Sequence, residues 1–124
     1  MTGFILPYKK TVPKIGRNVF IALNAAVIGD VEIGDESNLW FGVTTRGAVN
    51  DIRIGARTNI QDGSVIHVTS DFQGTYVGDE VTVGHMALLH ACRVGNRCLV
   101  GMGSILLDGA VMEDGSMLAA GSLL

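Results

Sequence analysis

Large aliphatic residues recur along this chain at a step of six, too long for one face of a helix and unlike the alternation of a half-buried strand. With Thr45 standing in once, they occupy positions 15, 21, 27, 33, 39 and 45, then 54, 60 and 66, then 77, 83 and 89, then 94, 100 and 106. Two residues before many of them lies a small or β-branched residue, among them Ala25, Ser37, Thr58, Ser64, Ala87, Cys98 and Ser104. Glycine often follows, as in Ile15-Gly16, Ile33-Gly34, Ile54-Gly55, Val77-Gly78 and Val94-Gly95. Each hexad reads as one short strand and a corner: the aliphatic fills the interior, the small residue lets the chain turn, and glycine relieves the corner backbone. Three hexads close a triangular coil of about 18 residues, and stacked coils pair as neighbouring strands about 4.8 Å apart. The pattern predicts an all-β parallel solenoid of about six coils over residues 15–124, preceded by a strand or arm over residues 1–14.

Two interruptions break the step: three extra residues near 48–53 and five within 68–76. In solenoids such insertions become loops on one face, often the functional one. The chain stops in mid-hexad at Leu124, and a bare last coil is an unprotected strand edge, so a truncated C-terminus is expected.

The same register places the three histidines. Thr45, Ile66, Leu89 and Leu106 share one face, so the residues that follow them form a column of Arg46, His67, His90 and Leu107. His67 and His90 therefore stack on adjacent coils, where two neutral imidazoles can share a metal. His85 lies one face earlier, in a column with Asp62, and points to a different edge. A rigid coil cannot bring the two edges together, whereas a closed ring of three subunits brings His85 of one against His67 and His90 of the next.

Composition removes several classes of partner. A net charge of -3 with nine Lys and Arg gives no footprint for nucleic acid or an anionic membrane. The 48% hydrophobic content is spread through the repeats, with no run of about 18 apolar residues for a spanning helix. Residues 1–14 lack a basic start and a long apolar core, so no signal peptide is read there and the expected setting is cytoplasmic. Cys92 and Cys98 occupy inward small positions and are expected to be reduced core residues. Trp40, Phe41 and Met102 are expected to pack or to line a subunit interface.

The segments TNIQDGSVIH (58–67) and TVGHMALLH (82–90), with Arg46-Gly47 upstream, resemble the γ-class carbonic anhydrases of the hexapeptide-repeat proteins. The resemblance covers residues 15–124 and supplies the handedness, implying a left-handed parallel β-helix. It further implies a homotrimer with zinc, or iron in some members, held by His67 and His90 of one subunit and His85 of its neighbour. Arg46 and Asp62 would pair across the interface, and Gln61 and Asn59 would line the site, Gln61 bonding the metal-bound solvent. The implied reaction is reversible hydration of carbon dioxide to bicarbonate by a metal-bound hydroxide.

The chain departs from that pattern in acids. Ala48 replaces the family's common Asp after Arg-Gly, and Val49 and Ser70 stand where proton-moving acids are found, leaving Asp51 or Asp71 as substitutes. Hydration is therefore expected to be slow. Two other readings stay open: a metal-bearing structural or assembly subunit, and an acyltransferase using acyl-coenzyme A with a single histidine base.

Overall fold

A computed structural model describes residues 2–124. Because the hexads are short, most strands hold only two or three residues; the described residues form sixteen, numbered β1 to β16 along the chain, all paired in parallel and none joined by a helix. They stack into three faces. The first holds β3 (Phe20–Ile21), β5 (Asn38–Leu39), β7 (Asn59–Ile60), β10 (Thr82–Val83), β13 (Leu99–Val100) and β16 (Met117–Leu118). The second holds β1 (Phe4–Leu6), the first halves of β4 (Ala26–Ile33) and β6 (Thr44–Ile54), then β8 (Val65–His67), β11 (Leu88–His90) and β14 (Ile105–Leu106). The third holds β2 (Lys14–Ile15), the second halves of β4 and β6, then β9 (Thr75–Val77), β12 (Arg93–Val94) and β15 (Val111–Met112). The six-rung first face sets the size of the stack, a left-handed parallel β-helix of about six coils.

Side chains alternate across each strand, so the register residues point inward. β4 alternates half-buried and buried along its whole length, and Leu39, Ile60, Ile66, Leu89 and Leu106 are fully buried. Each such side chain contributes about 1.5–3 kcal/mol by leaving water. The first segment joins this stack: Phe4, Ile5 and Leu6 pair with Ala26, Val27 and Ile28, after which a Tyr8–Thr11 bridge turns the chain toward β2.

Both insertions lie between the second and third faces. β4 and β6 lose register after Gly29, where Gly29 pairs with Gly47 but Val31 pairs with Ile52. The second separates β8 from β9. A third irregularity is the step of five from Leu89 to Val94 in the register: Leu89 pairs with Leu106 only 17 residues on, so one residue is missing just after His90.

Gly29 of the Ile28-Gly29 pair, at φ +81°, does relieve the backbone, but the other glycines of the Ile/Val-Gly pairs have a different reason. Gly34 has no positive φ, and a Cβ on it would meet the Gly55 carbonyl carbon at 2.6 Å. Gly55, Gly78 and Gly95 are crowded by Asp79, Asn96 and Asp114 of the next coil in the same way. These Asx side chains occupy the space, each Oδ1 accepting a hydrogen bond at 2.8 Å from a backbone N–H of the coil before, at Ala56, Asp79 and Asn96 respectively. The small inward residues also link coils. Ser37, Thr58 and Ser64 donate their hydroxyls to the carbonyls of Gly55, Gly78 and Gly84 at 2.7, 2.7 and 2.8 Å.

Candidate metal centre

His67 ends β8 and His90 ends β11, and because Ile66 and Leu89 before them point into the core, both imidazoles face outward. The five extra residues of the second insertion put them 23 residues apart in sequence but directly paired on adjacent rungs. Nδ1 of His67 and Nε2 of His90 lie 3.3 Å apart, with ring centroids 5.2 Å apart. Nδ1 of His90 donates to Asp108 Oδ1 at 2.8 Å, and the Thr69 hydroxyl donates to Asp108 Oδ2 at 2.5 Å.

Electrostatics favour the neutral imidazole at His67. Burial holds His67 below the ordinary imidazole pKa, with Arg46 and His90 adding repulsion, so its neutral form is favoured. The Thr69 hydroxyl first, and His90 second, hold the Asp108 carboxyl below its usual range. Arg46 is exposed at the position beside His67 in the column and has no ion-pair partner among the described residues.

His85 stands elsewhere. It is exposed at the corner that follows β10, with Nδ1 3.3 Å from Asp62 Oδ1. With Trp40, Asn59, Gln61 and Asp62 it lines a shallow pocket of about 200 Å³. There the Trp40 indole N–H donates to Asn38 Oδ1 at 2.8 Å, and the Asn59 amide donates to the same oxygen. The expected residues thus fall into two groups, His67 and His90 with Arg46 on one edge, and His85 with Asp62, Gln61 and Asn59 on another. Among the described residues no three His, Cys, Asp or Glu side chains gather closely enough to hold a metal. A groove of about 680 Å³ runs beside Arg93 and Asp114 on the third face, away from all three histidines.

The residues present fit a metal ion. Two nitrogens on one tetrahedral zinc, each at about 2.0–2.1 Å, stand about 3.3 Å apart, which is the separation of the His67 and His90 nitrogens. His67 Nε2 is buried without a partner, so the hydrogen bonding of this imidazole is incomplete in the single chain. His90 has its far nitrogen on a carboxylate, the usual arrangement behind a metal-bound histidine.

Asp108 and Thr69 were not among the residues expected here. Their signal was present: Leu106 continues the column of Ile66 and Leu89, which puts Asp108 at the corner just beyond the neighbour of His90. Asp51, expected as a substitute proton acceptor, is engaged away from the histidines. Its Oδ1 accepts from the Tyr76 hydroxyl at 2.8 Å and its Oδ2 lies 3.6 Å from Arg53. Asp71 is exposed on the second insertion.

With this fold and pair of histidines the chain joins a known group of proteins. A family model described as the hexapeptide repeat of succinyl-transferase matches residues 92–124. The protein YrdA of Escherichia coli is 50% identical over 105 residues, covering 80% of this chain and 57% of that protein. The mitochondrial gamma carbonic anhydrase 2 of Arabidopsis thaliana is 49% identical over 87 residues, 66% of this chain and 31% of that protein. A crystal structure of a hexapeptide transferase family protein from Anaplasma phagocytophilum superposes with a TM-score of 0.93 at 50% identity, covering 100% of this chain and 72% of that one. The chain belongs to the γ-class carbonic anhydrase family of hexapeptide-repeat proteins. It spans 57% of the length of YrdA and about a third of the plant protein.

Proposed function

We propose that this protein is a lyase that reversibly hydrates carbon dioxide to bicarbonate at a zinc site completed between the subunits of a homotrimer. The observation that carries the reading is the facing pair of His67 and His90 nitrogens at 3.3 Å, with the other nitrogen of His90 on Asp108. His67 and His90 of one subunit and His85 of the partner subunit would hold the ion. Zinc so held supplies a positive centre that acidifies water near neutral pH, an effect for which carbonic anhydrases are the standard example.

The chain's own groups do the rest. Burial keeps His67 neutral and able to offer a lone pair. Asp62 Oδ1 lies 3.3 Å from Nδ1 of His85, and Nε2 of that ring would face another subunit. Gln61 and Asn59 arrive with His85 on the same face, where Gln61 would orient the attacking water, and Arg46 would find its carboxylate in Asp62 of the partner subunit. The outer second face around the histidines supports a buried contact. Val65, Ile105 and Leu107 are 38%, 40% and 47% exposed in the single chain, an apolar surface that a cyclic trimer would cover.

Proton removal is the weak step. Ala48, Val49 and Ser70 carry no acid and Asp51 is held by Tyr76 and Arg53, so turnover depends on external buffer. A cytoplasmic setting belongs to this reading, and the buried free thiols of Cys92 and Cys98 are compatible with it. No helix of the described residues is long and apolar enough to cross a membrane.

The missing acids favour one further reading, an assembly subunit whose metal site is structural. Metal analysis of protein purified without added zinc, followed by stopped-flow carbon dioxide hydration in buffered and unbuffered media, decides between them. A folded trimer without metal would remove the zinc reading and return attention to acyl transfer. A zinc-loaded trimer with no hydration above the buffer rate would establish the assembly role instead.

A further inference from the structure

We propose that Asp108 is the positioning residue of the histidine pair: its carboxylate, braced by Thr69, accepts the Nδ1–H of His90 and fixes the tautomer whose Nε2 lone pair faces His67. A neutral imidazole carries its proton on either nitrogen, and the wrong choice would turn an N–H, not a lone pair, toward the site. A charge-assisted bond to a carboxylate decides that choice. Here the bond is 2.8 Å long and the second carboxylate oxygen is held at 2.5 Å by Thr69.

The brace is built by the two irregular segments of the solenoid. Thr69 lies in the second insertion, and its carbonyl accepts a hydrogen bond at 3.2 Å from Asn50 Nδ2 in the first insertion. Gly109, at φ +82°, turns the chain immediately after Asp108, a conformation that other residues adopt at a cost. Both insertions and this turn thus converge on one carboxylate. No comparable partner serves His67, whose Nε2 has none.

The inference rests on the zinc reading only for its effect on affinity; the tautomer is a property of the chain itself. The test uses the full-length chain with 15N-labelled imidazoles, as wild type, Asp108→Ala, Asp108→Asn and Thr69→Val. Imidazole 15N shifts are recorded on metal-free protein, and zinc affinity is measured by competition with a chromophoric chelator. The expected result is a His90 Nδ1–H tautomer in wild type that becomes mixed in Asp108→Ala, with zinc affinity about 10–100-fold lower. Asp108→Asn and Thr69→Val should shift both readouts in the same direction and by less. If every variant that folds keeps the wild-type tautomer and affinity, Asp108 is an ordinary corner residue and the proposal is overturned. If wild type takes up no zinc, the zinc reading fails, while the 15N shifts still decide: a changed tautomer supports positioning by Asp108 and an unchanged one refutes it.

Discussion

Replacing Thr45 by Val should make this protein more stable. Thr45 stands in the inward column between Val27 and Ile66 and is fully buried, yet its hydroxyl has no hydrogen-bond partner. A buried hydroxyl without a partner costs about 1–3 kcal/mol in proteins, and valine keeps the branched shape while putting a methyl in its place. The expected gain is therefore about 1–3 kcal/mol, or about 4 °C in Tm for each kcal/mol in a domain of this size. Thr58→Val is the matched control. Its hydroxyl donates to Gly78 O at 2.7 Å and accepts from the Val81 N–H at 3.2 Å, so the same exchange leaves two backbone groups unpaired and should cost a similar amount. Urea and thermal unfolding at one fixed protein concentration measure both, since subunit association would otherwise shift the midpoint. The reasoning is refuted if Thr45→Val is no more stable than wild type, or if the two variants move in the same direction.

Other outcomes follow from the same structure. Mixing His67→Ala subunits with His85→Ala subunits and allowing exchange should restore zinc sites that neither variant has alone; a mixture as empty as its parents would contradict a shared site. Burial pushes the Cys92 thiol up to about 12, so in folded protein at pH 8 it should resist a maleimide and react only after unfolding. The Arg17 backbone N–H, then its guanidinium, hold the Asp35 carboxyl below its ordinary range. The unfolded chain therefore takes up that proton first, and the contribution is present above the ordinary Asp value and lost as pH falls through it toward the folded one. Urea midpoints from pH 6 to 3 should decline less steeply for Asp35→Asn, and identical slopes would count against the assignment. Met86 sits at φ 58° in a corner column where other coils place Gly42, Gly63 and Gly103, so Met86→Gly should gain up to about 1 kcal/mol by calorimetry. A lower Tm would show that Met86 earns its position through contacts.

Much of the site could be read from spacing because a solenoid converts sequence distance into position. The six-residue step placed Ile66 beside Leu89, and with them His67 beside His90 and His85 beside Asp62. What escaped was whatever depends on contacts between coils. Asp108 lies one position beyond Leu107, at a corner where its side chain reaches back across the coil to His90, and the column of neighbours alone does not show that contact. The role of glycine was misread for a related reason. Gly34 and Gly55 look like turn residues in one strand of text, but the atoms that exclude a side chain there belong to the following coil. Ser37 and Thr58 likewise read as merely small until the carbonyls above them come into view.

The direct pairing of His67 with His90 has a consequence for how this architecture tolerates change. Each coil touches only the coils beside it, so a whole turn added or deleted beyond these rungs would leave the two imidazoles where they are. A single residue gained or lost in the stretch that forms β11 would act very differently, because it would send His90 into the hydrophobic interior and Leu89 out to solvent. The fold is thus permissive to changes of one full turn and intolerant of changes of one residue. An extra loop between β8 and β9 is harmless by the same rule, since it leaves each rung in phase with the one below.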